Sequence, residues 1–365
     1  MSARLLLIVC GDPSGDVHAA NLILALKRQQ ADMRVAAVGG PQCKAVADEF
    51  IEDLASRGVT GFVEPLKQLA FLRGLSARLG TFLRERRPDA VVCVDYYGFN
   101  RQVLALARAA SVPAFYFISP QVWASRPGRV SYLKQHVRRM LVIFPFEERL
   151  YRDAGVPVTF VGHPLLDLVP SPLATRSSAG VVVGILPGSR TSELRRHLPV
   201  CYGAFDILRA RRPETRGLLF AAASQPDSAY GALPEGVTLV RDRNYEQRST
   251  VDVAICSSGT ATLENALLGV TMVVIYKLSW PTYAIARAIV TVKQIAMANV
   301  LAGREIVPEL IQTDATPERV AAEAAAILEH PARSAQMRTD LAGLRATLGE
   351  PGAVNRAAEA ILREL

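Results

Sequence analysis

Cysteine is scarce in this chain, with five thiols among 365 residues. Cys10, Cys43, Cys93, Cys201 and Cys256 are widely spaced and form no Cys-x-x-Cys pair, so they offer no disulfide framework. Cys10, Cys93 and Cys256 lie in or beside apolar strand-like runs, where a small buried thiol is expected, and a reducing cytoplasm suits them. Histidine is equally scarce, also at five. No histidine pair has metal-ligand spacing, and His163, just before Pro164, reads as structural. No Asp-x-Asp motif appears, so neither a metal nor another cofactor is expected; a diphosphate would be neutralised by arginine and by helix ends. The first strand is not followed by Gly-x-Gly-x-x-Gly, which disfavours a dehydrogenase. Long apolar runs are missing too, and none reaches the length that spans a bilayer. The opening Met1–Cys10 lacks a small-residue cleavage site and runs straight into a turn, so it reads as a strand and not a signal peptide.

Positive charge is plentiful, with 42 Lys and Arg against 34 Asp and Glu, a net +8. An anionic partner follows: nucleic acid, a phosphorylated substrate or an acidic membrane face. Nucleic acid ranks last, because Arg84-Glu-Arg-Arg87 and Arg138-Arg139 lack the interleaved aromatics of nucleic-acid grooves. Half of the residues are apolar, and strand-like runs alternate with helical ones, which defines an α/β protein. Strands are expected at 5–10, 35–38, 90–94, 114–118, 140–143 and 159–161. A second series follows at 181–186, 217–222, 237–240, 252–256 and 271–275, with three helices beyond Thr316. The pattern predicts two doubly wound, Rossmann-like domains facing a cleft. Residues 1–168 form the first and 169–348 the second, with a linker in Pro170–Gly180. A C-terminal helix in 349–365 has the option of packing back on the first domain.

The chemistry sits where strands end. Val181–Leu186 is a buried-strand run stopped by Pro187 and Gly188; Ser189 or Thr191 is expected to cap the next helix, with Glu193 in its first turn. A helix start of this kind offers backbone N–H groups to a phosphate, and Arg190 adds a forked cation. On this stretch alone an ordinary βα loop is as good a reading. Seventy residues on, Ser257-Ser-Gly-Thr-Ala-Thr-Leu-Glu264 repeats the arrangement: Ser258, Gly259 and Thr260 let a ligand approach the backbone. Glu264 suits a ribose diol, or else simply the helix dipole. In the first half, Asp95 closes an apolar strand, where desolvation would raise its pKa and fit it to take a proton. Asp12 and Asp16 are further carboxylates, with turn and cap roles as the alternative.

Taken together, Gly11-Asp-Pro-Ser-Gly-Asp16, Val94-Asp-Tyr-Tyr-Gly-Phe-Asn100, Ser119-Pro-Gln-Val-Trp-Ala124, Phe144-Pro-Phe-Glu147, Gly162-His-Pro164, Leu186-Pro-Gly-Ser-Arg190, Ser258–Glu264 and Asn299-Val-Leu-Ala-Gly-Arg-Glu305 resemble the lipid-A-disaccharide synthases. The motifs appear in family order from residue 5 to about 310. The resemblance implies a GT-B glycosyltransferase of Gram-negative lipid A biosynthesis. Such an enzyme moves diacylglucosamine from UDP-2,3-diacylglucosamine to 2,3-diacylglucosamine 1-phosphate, with inversion, a β-1,6 link and release of UDP. It implies Asp95 as general base; Asp12 and Asp16 are the further catalytic candidates, the shorter reach of Asp12 weakening its claim to a direct role. It also implies roles for Arg190, Asn299 and the donor-ribose acid Glu264; Gly188, Ser189, Ser258, Gly259, Thr260 and Arg304 are expected beside them at the UDP donor. The family usually has Glu at the position of Asp12 and a second Asp at that of Gly98, which leaves Asp95 as the sole carboxylate of its loop.

Acylated substrates require a lipid surface. Phe62, Val63, Leu66, Leu69 and Leu72, interspersed with Lys67, Arg73 and Arg78, form a basic amphipathic stretch suited to the anionic inner face of the cytoplasmic membrane. Tyr276–Val292, with Trp280, Tyr283 and Ile285, is a second apolar stretch, for which core packing is the expected explanation. A homodimer stays open. Two other functions also stay open: a UDP-sugar epimerase or hydrolase of GT-B type, and a non-enzymatic nucleotide-binding regulator.

Overall fold

The computed structural model describes residues 4–56, 65–123, 128–172, 180–242, 244–289 and 294–365; the side chains of 65–68, 285–286 and 288–289 are outside that description. The chain divides into two compact units, Met1–Pro164 with Leu348–Leu365, and Leu165–Thr347. Of the expected linker, residues 173–179 lie outside the described residues.

The first unit runs β1 (Leu5–Val9), α1 (Pro13–Gln29), β2 (Arg34–Gly39), α2 (Pro41–Val46), β3 (Glu49–Asp53), α3 (Pro65–Arg86) and β4 (Ala90–Val94). It continues through α4 (Tyr97–Ala109), β5 (Ala114–Phe117), α5 (Gly128–His136), β6 (Arg139–Val142), α6 (Pro145–Asp153) and β7 (Val158–Phe160). The strands are all parallel, in the order β3-β2-β1-β4-β5-β6-β7. Every residue of β4 is fully buried, as a parallel strand covered by helices on both faces must be. The order reverses between β1 and β4, so the loops leaving those two strands flank the crevice where ligands of such sheets bind.

The second unit comprises α7 (Leu165–Leu168), β8 (Val182–Leu186), α8 (Thr191–Arg211), β9 (Arg216–Phe220), β10 (Val237–Val240), β11 (Val253–Ser257) and α9 (Thr260–Leu267). After these come β12 (Thr271–Tyr276), α10 (Trp280–Ile289), α11 (Met297–Ala302), β13 (Glu309–Ile311), α12 (Pro317–Glu329) and α13 (Pro331–Thr347). Its parallel order, β10-β9-β8-β11-β12-β13, reverses between β8 and β11. The loops after β8 and β11 are the two that sequence singled out.

The last helix, α14 (Ala353–Leu362), returns to the first unit and packs on α1. It buries Ala353, Val354, Ala357, Ala358 and Ile361. Arg356 ties it to the end of β7 by donating from Nε to Val161 O at 2.8 Å. Elements without a counterpart in the sequence reading include α2, β3, α7, α11 and β13.

Candidate functional site

In the first unit, the loops at the switch point touch. Gly11 lies against the Tyr96 ring so closely that a Cβ there would be 2.1 Å from Cδ1, and only glycine fits. Asp12 is the N-cap of α1; its Oδ1 accepts from Gly15 N at 2.6 Å. Asp95 and Tyr96 both adopt left-handed φ, +45° and +39°, a conformation rare outside glycine. Two side chains hold this turn: Asn100 Nδ2 donates to Val94 O (3.2 Å) and Asp95 O (2.8 Å), and the Tyr116 hydroxyl donates to Asp95 O at 2.5 Å. Burial pushes the Asp95 carboxyl up to about 7; the nearby charge of Asp12 adds to this, and a hydrogen bond from the Tyr96 backbone opposes it. A carboxyl poised there suits a general base at neutral pH.

Asp16 takes up the turn role that was its alternative reading. It is buried, and its two oxygens accept from Gly40 N (2.8 Å), Gln42 N (2.9 Å) and Cys43 N (3.0 Å), which fixes the turn into α2. The Ser119–Trp123 loop after β5 is clamped to α6. Ser119 Oγ lies 2.7 Å from the Tyr151 hydroxyl, and Trp123 meets Phe146 edge-on at 5.3 Å. Beneath it is Glu147, 1% exposed, whose Oε2 accepts from Phe144 N at 3.2 Å and whose carboxyl is pushed up to about 8 by burial. Sequence reasoning gave Glu147 no role, since only the fold reveals its burial. His163 is buried, its ring packs on Phe144 at 5.2 Å, and burial together with the charge of His18 lowers its pKa to about 3.

In the second unit, Gly188 takes φ +114°, and a Cβ there would lie 2.4 Å from Glu193 Oε2. That oxygen accepts from Ser189 N (3.0 Å) and Arg190 N (3.2 Å), while Arg190 Nη1 lies 3.4 Å from Glu193 Oε1. Glu193 therefore caps α8, in place of Ser189 or Thr191, because one carboxylate serves two amides and a guanidinium where a hydroxyl would serve one amide. The Arg190 side chain, though paired with Glu193, is 74% exposed. Buried His197 braces the same turn. Lys277 N donates to its Nε2 (3.0 Å), so Nδ1 carries the proton and donates to Pro187 O at 2.7 Å.

After β11, Ser258 donates its hydroxyl to Ile295 O at 2.8 Å. Gly259 and Thr260 are exposed. A Cβ at Gly259 would meet nothing of the protein within 4 Å, and no side chain caps α9. Glu264 Oε2 accepts from Arg248 Nη1 at 2.5 Å, and Oε1 from the Tyr245 hydroxyl at 3.2 Å. Neither partner was anticipated, because the turn carrying them has no periodic signal.

Two residues expected at the donor site have partners inside the second unit. Asn299 is fully buried; its Oδ1 accepts from Ile306 N and Val307 N, and its Nδ2 donates to Val307 O and Glu309 Oε1, all at 2.7–2.9 Å. These four bonds occupy its side-chain amide and brace the approach to β13. Arg304 pairs with Asp340 on α13 at 2.7 Å and lines a groove of about 340 Å³ with Arg333, Gln336 and Met337. Of the expected lipid-facing stretch, Phe62, Val63 and the Leu66 side chain lie outside the described residues. Leu69 is 44% exposed, whereas Leu72 packs partly against the core. In the second apolar stretch, Trp280 is 63% exposed, so core packing does not account for it; residues 290–292 and the Ile285 side chain are outside the description.

A family model described as lipid-A-disaccharide synthetase matches residues 6–363. Lipid-A-disaccharide synthase of Syntrophus aciditrophicus (strain SB) is 40% identical over 371 residues, covering 98% of this chain and 97% of the relative. That of Anaeromyxobacter dehalogenans (strain 2CP-C) is 41% identical over 371 residues, with 98% and 96% covered. Among solved structures, the calicheamicin glycosyltransferase superposes with a TM-score of 0.64 at 16% identity, over the whole of both chains. UDP-GlcNAc 2-epimerase from Neisseria meningitidis, bound to UDP-GlcNAc, does so with a TM-score of 0.65 at 12% identity, over 99% of this chain and all of that one. At such identities the likeness is one of fold, and the fold is GT-B.

Proposed function

The chain belongs to the lipid-A-disaccharide synthetase family of glycosyltransferases, and on that premise we propose that it joins 2,3-diacylglucosamine from its UDP derivative to 2,3-diacylglucosamine 1-phosphate. Asp95 removes the proton of the acceptor 6-hydroxyl as that oxygen attacks the anomeric carbon from the face opposite UDP. The bond from that carbon to the diphosphate breaks, its electron pair leaves with UDP, and a β-1,6 link results. Arg190 and the uncapped amides opening α9 meet the charge that develops on the diphosphate, and Gly259 lets it approach the backbone. Glu264 accepts from the ribose hydroxyls. Asp12 acts through its charge, keeping the Asp95 carboxyl basic. The enzyme works at the anionic inner face of the cytoplasmic membrane, with Leu69 among its lipid contacts.

The observation that carries this reading is Asp95 itself: a desolvated carboxyl with a pKa of about 7, on a strained turn at the switch point beside a second acid. The test supplies purified protein with both lipid substrates and weighs the product by mass spectrometry. The disaccharide 1-phosphate and UDP are expected. Asp95→Ala should bind UDP as the parent does and transfer sugar at least about a hundredfold more slowly, in line with loss of a general base. Undiminished turnover by Asp95→Ala would remove the base from this account, and unchanged UDP affinity in Arg190→Ala would remove the phosphate contact.

A further inference from the structure

We propose that Arg248, assisted by Tyr245, is a positioning residue for donor recognition: it turns the Glu264 carboxylate so that one lone pair on each oxygen faces a vicinal diol. The inference rests on reading Glu264 as the acid that accepts from the donor ribose. Arg248 is 7% exposed, and its guanidinium reaches α9 at three points. Nη1 donates to Glu264 Oε2 at 2.5 Å, Nε to Asn265 Oδ1 at 2.7 Å, and Nη2 to Ala261 O at 2.8 Å. The turn that delivers it is itself tightly held. Tyr245 adopts left-handed φ, +62°; its carbonyl accepts from Ser249 N (2.9 Å) and Ser249 Oγ (2.7 Å), and Arg248 N donates to Asp242 Oδ2 at 2.8 Å.

Stability alone does not explain such a construction, since a buried ion pair gains little over a well-packed apolar replacement. Orientation does. A carboxylate has about four acceptor positions. Arg248 takes one on Oε2 and Tyr245 one on Oε1, which leaves one on each oxygen. Two acceptors joined by a single carbon match two adjacent hydroxyl donors, and the fixed guanidinium prevents the carboxylate from rotating out of that pose.

The measurement is calorimetric titration of the full-length protein with UDP, 2′-deoxy-UDP and 3′-deoxy-UDP, with thermal melts run alongside. The parent should prefer UDP to either deoxy analogue by about tenfold or more, the size of a hydrogen bond to a charged acceptor. Arg248→Met should lose about tenfold in UDP affinity and show a preference flattened to within about twofold, while its affinity for the deoxy analogues barely changes. Arg248→Lys, which keeps the buried charge without the fork, should recover part of the preference, and Tyr245→Phe should lose about threefold. Those two variants decide the matter if Arg248→Met does not fold. Glu264→Ala separates the two levels of the argument. If it flattens the preference while the Arg248 and Tyr245 variants keep it, positioning is wrong and the ribose acid stands. If Glu264→Ala keeps the preference, the ribose reading falls and this inference with it.

Discussion

Ionising Asp95 is unfavourable where it stands, because burial and the charge of Asp12 lift it from an ordinary 3.8 to about 7. The unfolded chain gives up this proton near pH 4 and the folded protein near 7, so between those values the folded state binds the extra proton. The group therefore favours folding at low pH, and that contribution is lost as pH rises through 7. Asp95→Asn, which never ionises, should melt roughly 5 °C or more above the parent at pH 8 and level with it at pH 4. Equal shifts at both pH values would show that the carboxyl is not strained by its charge. In transfer assays the same group should place the rising limb of kcat/KM near pH 7. Asp95 was legible in the sequence because an apolar run ends on it. Asp16 was not, since an acid that accepts from three amides of a distant turn looks the same in sequence as one that faces a substrate. Arg248 lies in an irregular turn sixteen residues before its partner Glu264, beyond the reach of any helical or strand period.

Elements follow the same division. β1, β4, β8, β11 and β12 were readable as unbroken apolar runs because helices cover both faces of each sheet. Edge strand β3, Glu49-Phe-Ile-Glu-Asp53, was not; it has three acids in five residues and is only half-buried throughout, as befits an edge. Strand β13 is three residues long and begins with Glu309, whose carboxylate accepts from Ile295 N, Ala296 N and Asn299 Nδ2. Its composition records that internal bonding and not a strand. α14 was legible as a helix, and its place on α1 supplies a test. Ile361 is fully buried, so Ile361→Ala should cost about 2–4 kcal/mol. Urea unfolding should show this as a lower midpoint at unchanged slope. A midpoint within error of the parent would mean that α14 lies loose on α1.

For the molecule as a whole, the remaining question is how a protein with acylated substrates reaches them. Among the described residues, no helix is long and apolar enough to cross a membrane. The adsorption proposed above would have two separable parts. The net charge of +8 would attract an anionic surface and be screened by salt, whereas exposed apolar side chains such as Leu69 and Trp280 would contribute a part that salt leaves intact. Flotation at low salt should therefore carry the protein with vesicles rich in phosphatidylglycerol and far less with phosphatidylcholine alone. Raising the salt should weaken binding without abolishing it. Leu69→Ser should reduce the salt-resistant fraction severalfold, the scale of one or two methylenes withdrawn from lipid at about 0.8 kcal/mol each. Complete release by salt, with no effect of Leu69→Ser, would leave charge as the whole of the attraction. Indifference to anionic vesicles at low salt would instead suit a UDP-sugar epimerase or hydrolase with water-soluble substrates. The GT-B fold accommodates such an enzyme equally well, so vesicle binding separates the two readings where architecture does not.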